Sequence, residues 1–148
     1  MIYINQGELN EAAAVASRNK SLTGNVTYLW SMQHKLSGRK FRFIPYRILP
    51  ATTYPPGYDL FCITIDDSIP QSLTGNTACG DCNVHLIPGE YYLKIYEQLS
   101  TTNLNPQLSY DVVYETIVNV VGTNQNNPVT YSGSSDGDVF IIYNADND

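Results

Sequence analysis

The sequence has few charged residues, few cysteines and no long apolar run. Charged side chains make up 15% of the 148 residues, well below the roughly 25% of an average domain. No stretch approaches the ~18 consecutive apolar residues of a membrane-spanning helix, so we expect no membrane contact of that kind. Residues 1–5 have neither a basic start nor an apolar core, and the sequence therefore predicts a chain used without general secretion.

The charges that are present are divided unevenly along the chain. Residues 1–47 hold seven of the eight basic side chains, whereas residues 48–148 hold twelve of the fourteen acidic ones. Such a division can steer contacts between copies, unless strands from both halves interleave and average the charge. Because the formal net charge is -6 and Arg39-Lys40-Phe41-Arg42 is the only basic cluster, we expect no nucleic-acid partner.

Alternation of apolar and polar side chains is the main pattern, and helix signals are scarce. The clearest case follows the Pro88-Gly89 turn, where neighbouring side chains point to opposite faces of one strand. One face takes Tyr91, Leu93 and Ile95, and the other takes Tyr92, Lys94 and Tyr96. This period of two is typical of a half-buried strand.

The same period predicts the remaining strands. They are Met1–Ile4, Glu8–Arg18, Tyr28–His34, Phe41–Pro45, Asp59–Asp66, Asp111–Val121 and Asp138–Tyr143. The alanines of Glu8–Arg18 also suit a helix, but its alternation favours a strand. Leu36-Ser37-Gly38 predicts a hairpin turn, and three prolines within Leu49–Gly57 predict a loop.

These strands together predict an all-β fold. The best fit is a single antiparallel immunoglobulin-like β-sandwich of about seven strands, with a barrel as the alternative. We expect one domain over residues 1–143 and an acidic tail at residues 144–148.

The cysteines form the one pattern that resembles a chemical centre. Cys79 and Cys82 flank a Gly-Asp pair, and His85 follows at a spacing that a tight turn can bring to one zinc ion, with Cys62 as a fourth candidate. A redox centre is disfavoured, because no helix-forming segment follows Cys82. We predict ordinary reduced cysteines in a loop and no cofactor, with a structural zinc site and a local disulfide as alternatives.

No other residues form a catalytic pattern. His34 and His85 are isolated at predicted strand ends, and Asp136-Gly137-Asp138 has the pattern of a turn rather than a calcium loop. We therefore predict no catalytic residue and no enzyme activity. Tyr92 and Tyr96 are candidates for a sugar- or protein-contact face, and the alternative is that they cover a packed sheet.

Four different short motifs are spread along the chain from one end to the other. They are Met1–Gly7 with Asn10-Glu11, Tyr28-Leu29-Trp30 with Phe41–Pro45, Gly89–Gln98 with Asn103–Pro106, and Glu115-Thr116 before Val118–Val121, followed by a late strand at Asp138–Tyr143. Together they resemble small β-sandwich virion proteins of the auxiliary capsid or head-decoration type from tailed phages of Bacteroidota, crAss-like phages included. The Ala12–Ala16 run and the Cys79–Cys82 loop depart from that pattern.

The resemblance implies a non-enzymatic virion structural protein, an auxiliary, decoration or head-fibre-associated component that binds the major capsid protein lattice. Its implied partners are the major capsid protein, other virion proteins and copies of itself. Its implied location is the virion, assembled in the cytoplasm of the bacterial host. A neck or tail adaptor of the same virion is the first alternative, and a carbohydrate-binding adhesive module that uses Tyr92 and Tyr96 is the second.

Overall fold

The described part of the chain folds into eight β-strands and one short 3₁₀ turn. The computed structural model describes residues 1–14, 16, 21–48 and 58–123. The strands are β1 (Ile2–Asn5), β2 (Glu8–Ala14), β3 (Thr27–His34), β4 (Lys40–Phe43), β5 (Tyr46–Ile48), β6 (Asp59–Ile65), β7 (Gly89–Gln98) and β8 (Asp111–Val121), and the 3₁₀ turn is Pro106–Leu108. Among the residues described, no helix has the length and apolar character needed to cross a membrane.

The strands form two sheets. The larger sheet has the order β1-β8-β7-β3-β4 and the smaller one has the order β2-β6-β5. All neighbours pair antiparallel except β1 and β8, which run parallel. In an immunoglobulin-like sandwich, strands B, E and D belong to one sheet and strands C, F and G to the other. Here β2, β6 and β5 match the first set in order, and β3, β7 and β8 match the second. The predicted all-β sandwich is confirmed.

Two further side chains fit that architecture. Trp30, on β3, is fully buried between the sheets. Tyr91 stands near the start of β7, and its hydroxyl donates to the carbonyl of Ile87 at 2.6 Å. A buried tryptophan at the centre and a tyrosine bonded back to the preceding chain are recurrent in immunoglobulin-like domains.

Aromatic rings join the two sheets across the core. The Phe61 ring, on β6, lies edge-on to Trp30 at 5.2 Å and to Tyr28 at 5.8 Å between centroids. Phe43, on β4, adds a tilted contact with Trp30 at 5.9 Å. Because such pairs add to the free energy of area burial, this cluster holds the sheets in one relative position.

The chain passes from one sheet to the other at Gln6-Gly7. The Gln6 amide donates to the Val121 carbonyl in the larger sheet at 2.9 Å, and the Gly7 amide donates to the Ile65 carbonyl in the smaller sheet at 2.5 Å. Gly7 has φ +80, and a Cβ there would lie 2.9 Å from the Thr123 methyl group. Glycine is required at this crossing for both reasons.

Most predicted strands agree with the observed ones within a few residues. The Glu8–Arg18 segment is a strand up to Ala14, and β3 and β4 form the predicted hairpin, with Gly38 at φ +72. The separate strand β5 was not predicted, because its three residues are too few for a periodic signal. The predictions for 49–57, 138–143 and 144–148 lie outside the described residues.

Candidate functional site

The outward face of the larger sheet carries two cross-strand rows of polar and aromatic side chains. The register of β4, β3 and β7 places Arg42, Ser31 and Lys94 in one row, and Lys40, Gln33 and Tyr92 in the other. Side chains directly opposite each other in a sheet have Cβ atoms about 5 Å apart. A small or amide side chain on β3 therefore separates a cation on β4 from a residue on β7 in both rows.

These rows enclose an open trough of about 430 Å³, called the outer trough here. Ser31 and Gln33 form its floor, and β4 and β7 form its two walls. One end is closed by residues 105–107 of the β7–β8 connection. Its volume falls within the range of small-molecule binding sites, and its lining is polar.

The closed end of the outer trough is held by side-chain hydrogen bonds. The Gln98 amide donates to the Asn103 carbonyl at 2.9 Å, and it accepts from Asn103 Nδ2 and Ser109 Oγ at 2.8 Å each. Asn105 caps the 3₁₀ turn by accepting from the Gln107 amide at 3.0 Å. Since both ends of the connection are tied to Gln98, the end wall is preorganised.

The outer trough has an excess of positive charge. Lys94 Nζ lies 3.7 Å from Glu115 Oε1, but both side chains are more than half exposed, so the pair is screened by water. Lys40 and Arg42 have no ion pair within the described part of the chain. Such a surface attracts a partner that offers carboxylates or other acceptors.

Arg42 has an additional unmet donor. Its Nε atom is buried and has no hydrogen-bond partner among the described residues. Tyr28 and Trp30 share this property in the core, whereas Arg42 lines the outer trough. Buried donors are nearly always paired in folded proteins, and this unpaired Nε distinguishes Arg42 from the other cations of the trough.

The aromatic wall of the outer trough is accessible. Tyr92 is 55% exposed, and the Lys35 Nζ atom lies 5.0 Å from the centroid of its ring. Tyr96 lines the same wall and is half-buried. The predicted division of this strand into a buried face and an exposed face is confirmed. Tyr91, Leu93 and Ile95 are buried, and Tyr92 and Lys94 are exposed.

The cysteines differ from the prediction. Cys79 is not a reduced loop cysteine, because it forms a disulfide with Cys62, with the two Cα atoms 5.3 Å apart. The connection between β6 and β7 returns to the sheet, where the Thr64 amide donates to the Cys82 carbonyl at 2.8 Å and the Val84 amide to the Thr64 carbonyl at 3.0 Å. This return brings Cys79 beside β6, so the disulfide spans 17 residues instead of closing on Cys82.

The three zinc candidates have other environments. Cys79 is held in the disulfide, and Cys82 is a buried free thiol whose pKa burial raises to about 12. His85 Nε2 lies 2.7 Å from the Ile69 carbonyl oxygen, outside any strand, although a strand was predicted to begin there. Within residues 1–14, 16, 21–48 and 58–123, no group of three His, Cys, Asp or Glu side chains could hold a metal ion.

His34 supports the β3–β4 hairpin and the start of β7. Its Nδ1 atom lies 2.9 Å from Ser37 Oγ, and its ring meets Tyr91 edge-on at 4.9 Å. Gly89 has φ +135, and a Cβ there would lie 2.5 Å from His34 Nε2. The imidazole therefore packs against Gly89 and joins the β3–β4 hairpin to the start of β7.

Sequence reasoning identified Tyr92 and Tyr96 but missed the cations that accompany them. Lys40 and Arg42 were considered only as part of the basic cluster in the argument against a nucleic-acid partner, and residues 105–107 had no assigned role. The available signal was the hairpin register, because a turn at Leu36-Ser37-Gly38 already places Arg42 opposite Ser31. No protein-family model, curated protein or solved structure matches this chain.

Proposed function

We propose that this chain is a non-enzymatic virion structural protein, an auxiliary, decoration or head-fibre-associated component that binds the major capsid protein lattice. Two features support the proposal: the resemblance of its motifs to phage virion proteins, and a rigid sandwich with a polar contact face. The observation that carries it is the outer trough, where cations and an exposed tyrosine lie together on the outward face of the larger sheet. On this proposal the protein acts in the virion, after assembly in the bacterial cytoplasm.

Binding of this kind works through repetition. A single trough of about 430 Å³ supports a contact of modest area. On a symmetric lattice, copies that also touch each other, or are joined through other virion proteins, bind with an avidity far above that of one contact. The Lys40 and Arg42 cations would increase the rate of encounter with an acidic capsid surface, and Tyr92 would supply apolar contact area.

The test is quantitative mass spectrometry of virions purified from the phage that encodes this chain, calibrated against the major capsid protein. Hundreds of copies per particle support a decoration role, and about a dozen indicate the neck or tail adaptor. Absence from the particle overturns the virion proposal. A virion carrying Lys40→Glu is expected to contain fewer copies. Lys35→Glu makes the same charge change at a lysine that does not line the trough and, of the trough residues, touches only Tyr92 at the rim, so its effect is expected to be smaller.

The second candidate is a carbohydrate-binding adhesive module. It is favoured by one observation, the exposed Tyr92 ring beside amide and hydroxyl groups on the floor of the trough, because sugars stack on aromatic rings and bond to such groups. A glycan array probed with the purified chain tests it. Binding that is lost in Tyr92→Ala and kept in Tyr3→Ala, an equally exposed tyrosine on β1, would support this candidate. Binding that survives Tyr92→Ala and Tyr96→Ala would contradict it.

A further inference from the structure

We propose that the free edge of β4 binds an extended, acidic segment of a partner protein as an additional strand. The larger sheet ends at β4, which pairs only with β3 among the described strands. The inference deepens the proposed contact role and rests on it. Three independent observations meet at this edge: unpaired backbone groups, a cavity on each side of the strand, and a row of cations.

The backbone of β4 presents donors and acceptors to solvent. The His34 amide donates to the Arg39 carbonyl at 2.9 Å, so Arg39 belongs to a hydrogen-bonded pair of the ladder. Since such pairs alternate in antiparallel sheets, the N–H and C=O groups of Lys40 and Arg42 point away from β3. Ile44 continues this parity, and its amide donates to the Leu73 carbonyl at 2.6 Å. Chain segments can therefore pair at this edge, and the positions at Lys40 and Arg42 are open within the described residues.

Cavities lie on both sides of the edge. The Lys40 and Arg42 side chains line the outer trough, on the outward face of the sheet. A second cavity of about 450 Å³, called the edge cavity here, lies between β4 and the connection from β6 to β7. Three kinds of side chain line it. They are apolar (Phe41, Leu73 and Val84), cationic (Arg39, Lys40 and Arg42) and neutral polar (Gln71 and His85). Successive side chains of an added strand point to opposite faces, so they would enter the trough and the edge cavity in turn.

The charge of the edge selects the partner. Arg39, Lys40 and Arg42 lie in sequence along it, and none has an ion pair in the part of the chain that the structure describes. Like charges directly opposite one another destabilise a strand pair, so two β4 edges from separate copies repel. An acidic strand gains both the ladder hydrogen bonds and the opposite-charge pairs. The opposite edge of the same sheet, β1, contains no charged residue.

The test uses the full chain and a fluorescein-labelled peptide of alternating Glu and Thr, about eight residues long, the length of an ordinary strand. Fluorescence anisotropy gives the affinity. Two control peptides separate charge from strand addition: one carries Lys in place of Glu, and the other is N-methylated at every second residue, on the amides that would pair with β4. We expect the acidic peptide to bind, and both controls to bind at least about tenfold more weakly.

Protein variants locate the site. Arg42→Glu is expected to weaken peptide binding by at least about tenfold, whereas Lys94→Glu, the same charge change inside the outer trough but two strands from the edge, is expected to weaken it by about threefold or less. Amide hydrogen exchange is expected to slow at Lys40 and Arg42 when the peptide binds. Far-ultraviolet circular dichroism of both variants checks that they fold.

Four outcomes would overturn the inference. Equal binding of the N-methylated peptide would indicate a charge contact without strand pairing, and an equal effect of Lys94→Glu would place the peptide in the outer trough. No binding of the acidic peptide, with the protein still present in virions, would remove this inference and leave the proposed virion role intact. Preferential binding of anionic glycans over the peptide would favour the adhesive module instead.

Discussion

The two faces of the larger sheet differ in burial and polarity, although the same strands form both. On the inner face, Trp30 and Tyr91 are fully buried. On the outer face, their neighbours Ser31 and Tyr92 line an open trough with loose ion pairs. Because alternate residues of one strand face opposite ways, the core and the outer face use different residues of β3 and β7. The outer face can therefore change without altering the core.

The largest expected difference is between Trp30→Ala and Tyr92→Ala. Trp30→Ala removes a fully buried ring between the sheets and is expected to lower the free energy of unfolding by about 3–5 kcal/mol. Tyr92→Ala acts at an exposed site and is expected to change it by about 0.5 kcal/mol or less. Urea unfolding followed by circular dichroism measures both. Equal losses of unfolding free energy in the two variants would mean that the outer face stabilises the fold as much as the core does.

The disulfide gives the next largest effect, and it lies outside the comparison of the two faces. Reduction of the bond between Cys62 and Cys79, 17 residues apart, is expected to cost about 3 kcal/mol, because the unfolded chain regains the entropy of an open loop. Urea midpoints with and without a thiol reductant measure the loss. The control is Cys62→Ser with Cys79→Ser, which should be insensitive to the reductant. An unchanged midpoint in the native chain would show that the connection is held by its backbone hydrogen bonds alone.

Tyr91→Phe is expected to lower the free energy of unfolding by an intermediate amount and to change how that free energy depends on pH. Loss of the hydrogen bond to Ile87 should cost about 1 kcal/mol at neutral pH. Burial raises the pKa of Tyr91 and of Tyr28 to about 12, from the ordinary tyrosine value of 10.0. The folded state therefore holds these protons more tightly than the unfolded state, and stability falls as the pH rises from about 10 towards 12. Thermal melts across this range should show a shallower decline for Tyr91→Phe. A decline of unchanged slope would assign the alkaline loss to other groups.

The smallest expected effect is that of Lys94→Gln on the outer face. Its ion pair with Glu115 spans 3.7 Å between two exposed side chains, and such pairs contribute about 0–0.5 kcal/mol. The urea midpoint should move little and should respond little to added salt. A loss above about 1 kcal/mol would show that the outer face also stabilises the sheet.

The strands could be predicted from the sequence because most have one buried and one exposed face. Apolar and polar residues therefore alternate along them. The face division of Tyr91 and Tyr92 follows directly from it. The partner of Cys79 could not be predicted, since it depends on the β6–β7 connection returning to Thr64, and that return has no periodic signal. The trough could be anticipated only in part, because it needs the register of three strands. The parallel pairing of β1 with β8 is likewise a property of the tertiary structure.

That parallel pairing determines how the protein carries mechanical load. Ile2 lies beside Val118, and Asn5 lies beside Val121, so the chain enters β1 and leaves β8 at opposite ends of one ladder. A pull on both ends of this pair is directed along the strands and loads all of the ladder hydrogen bonds together. An antiparallel pair pulled from adjacent ends would open one bond at a time. A force applied across Ile2 and Val121 would therefore have to shear the whole ladder between β1 and β8 at once.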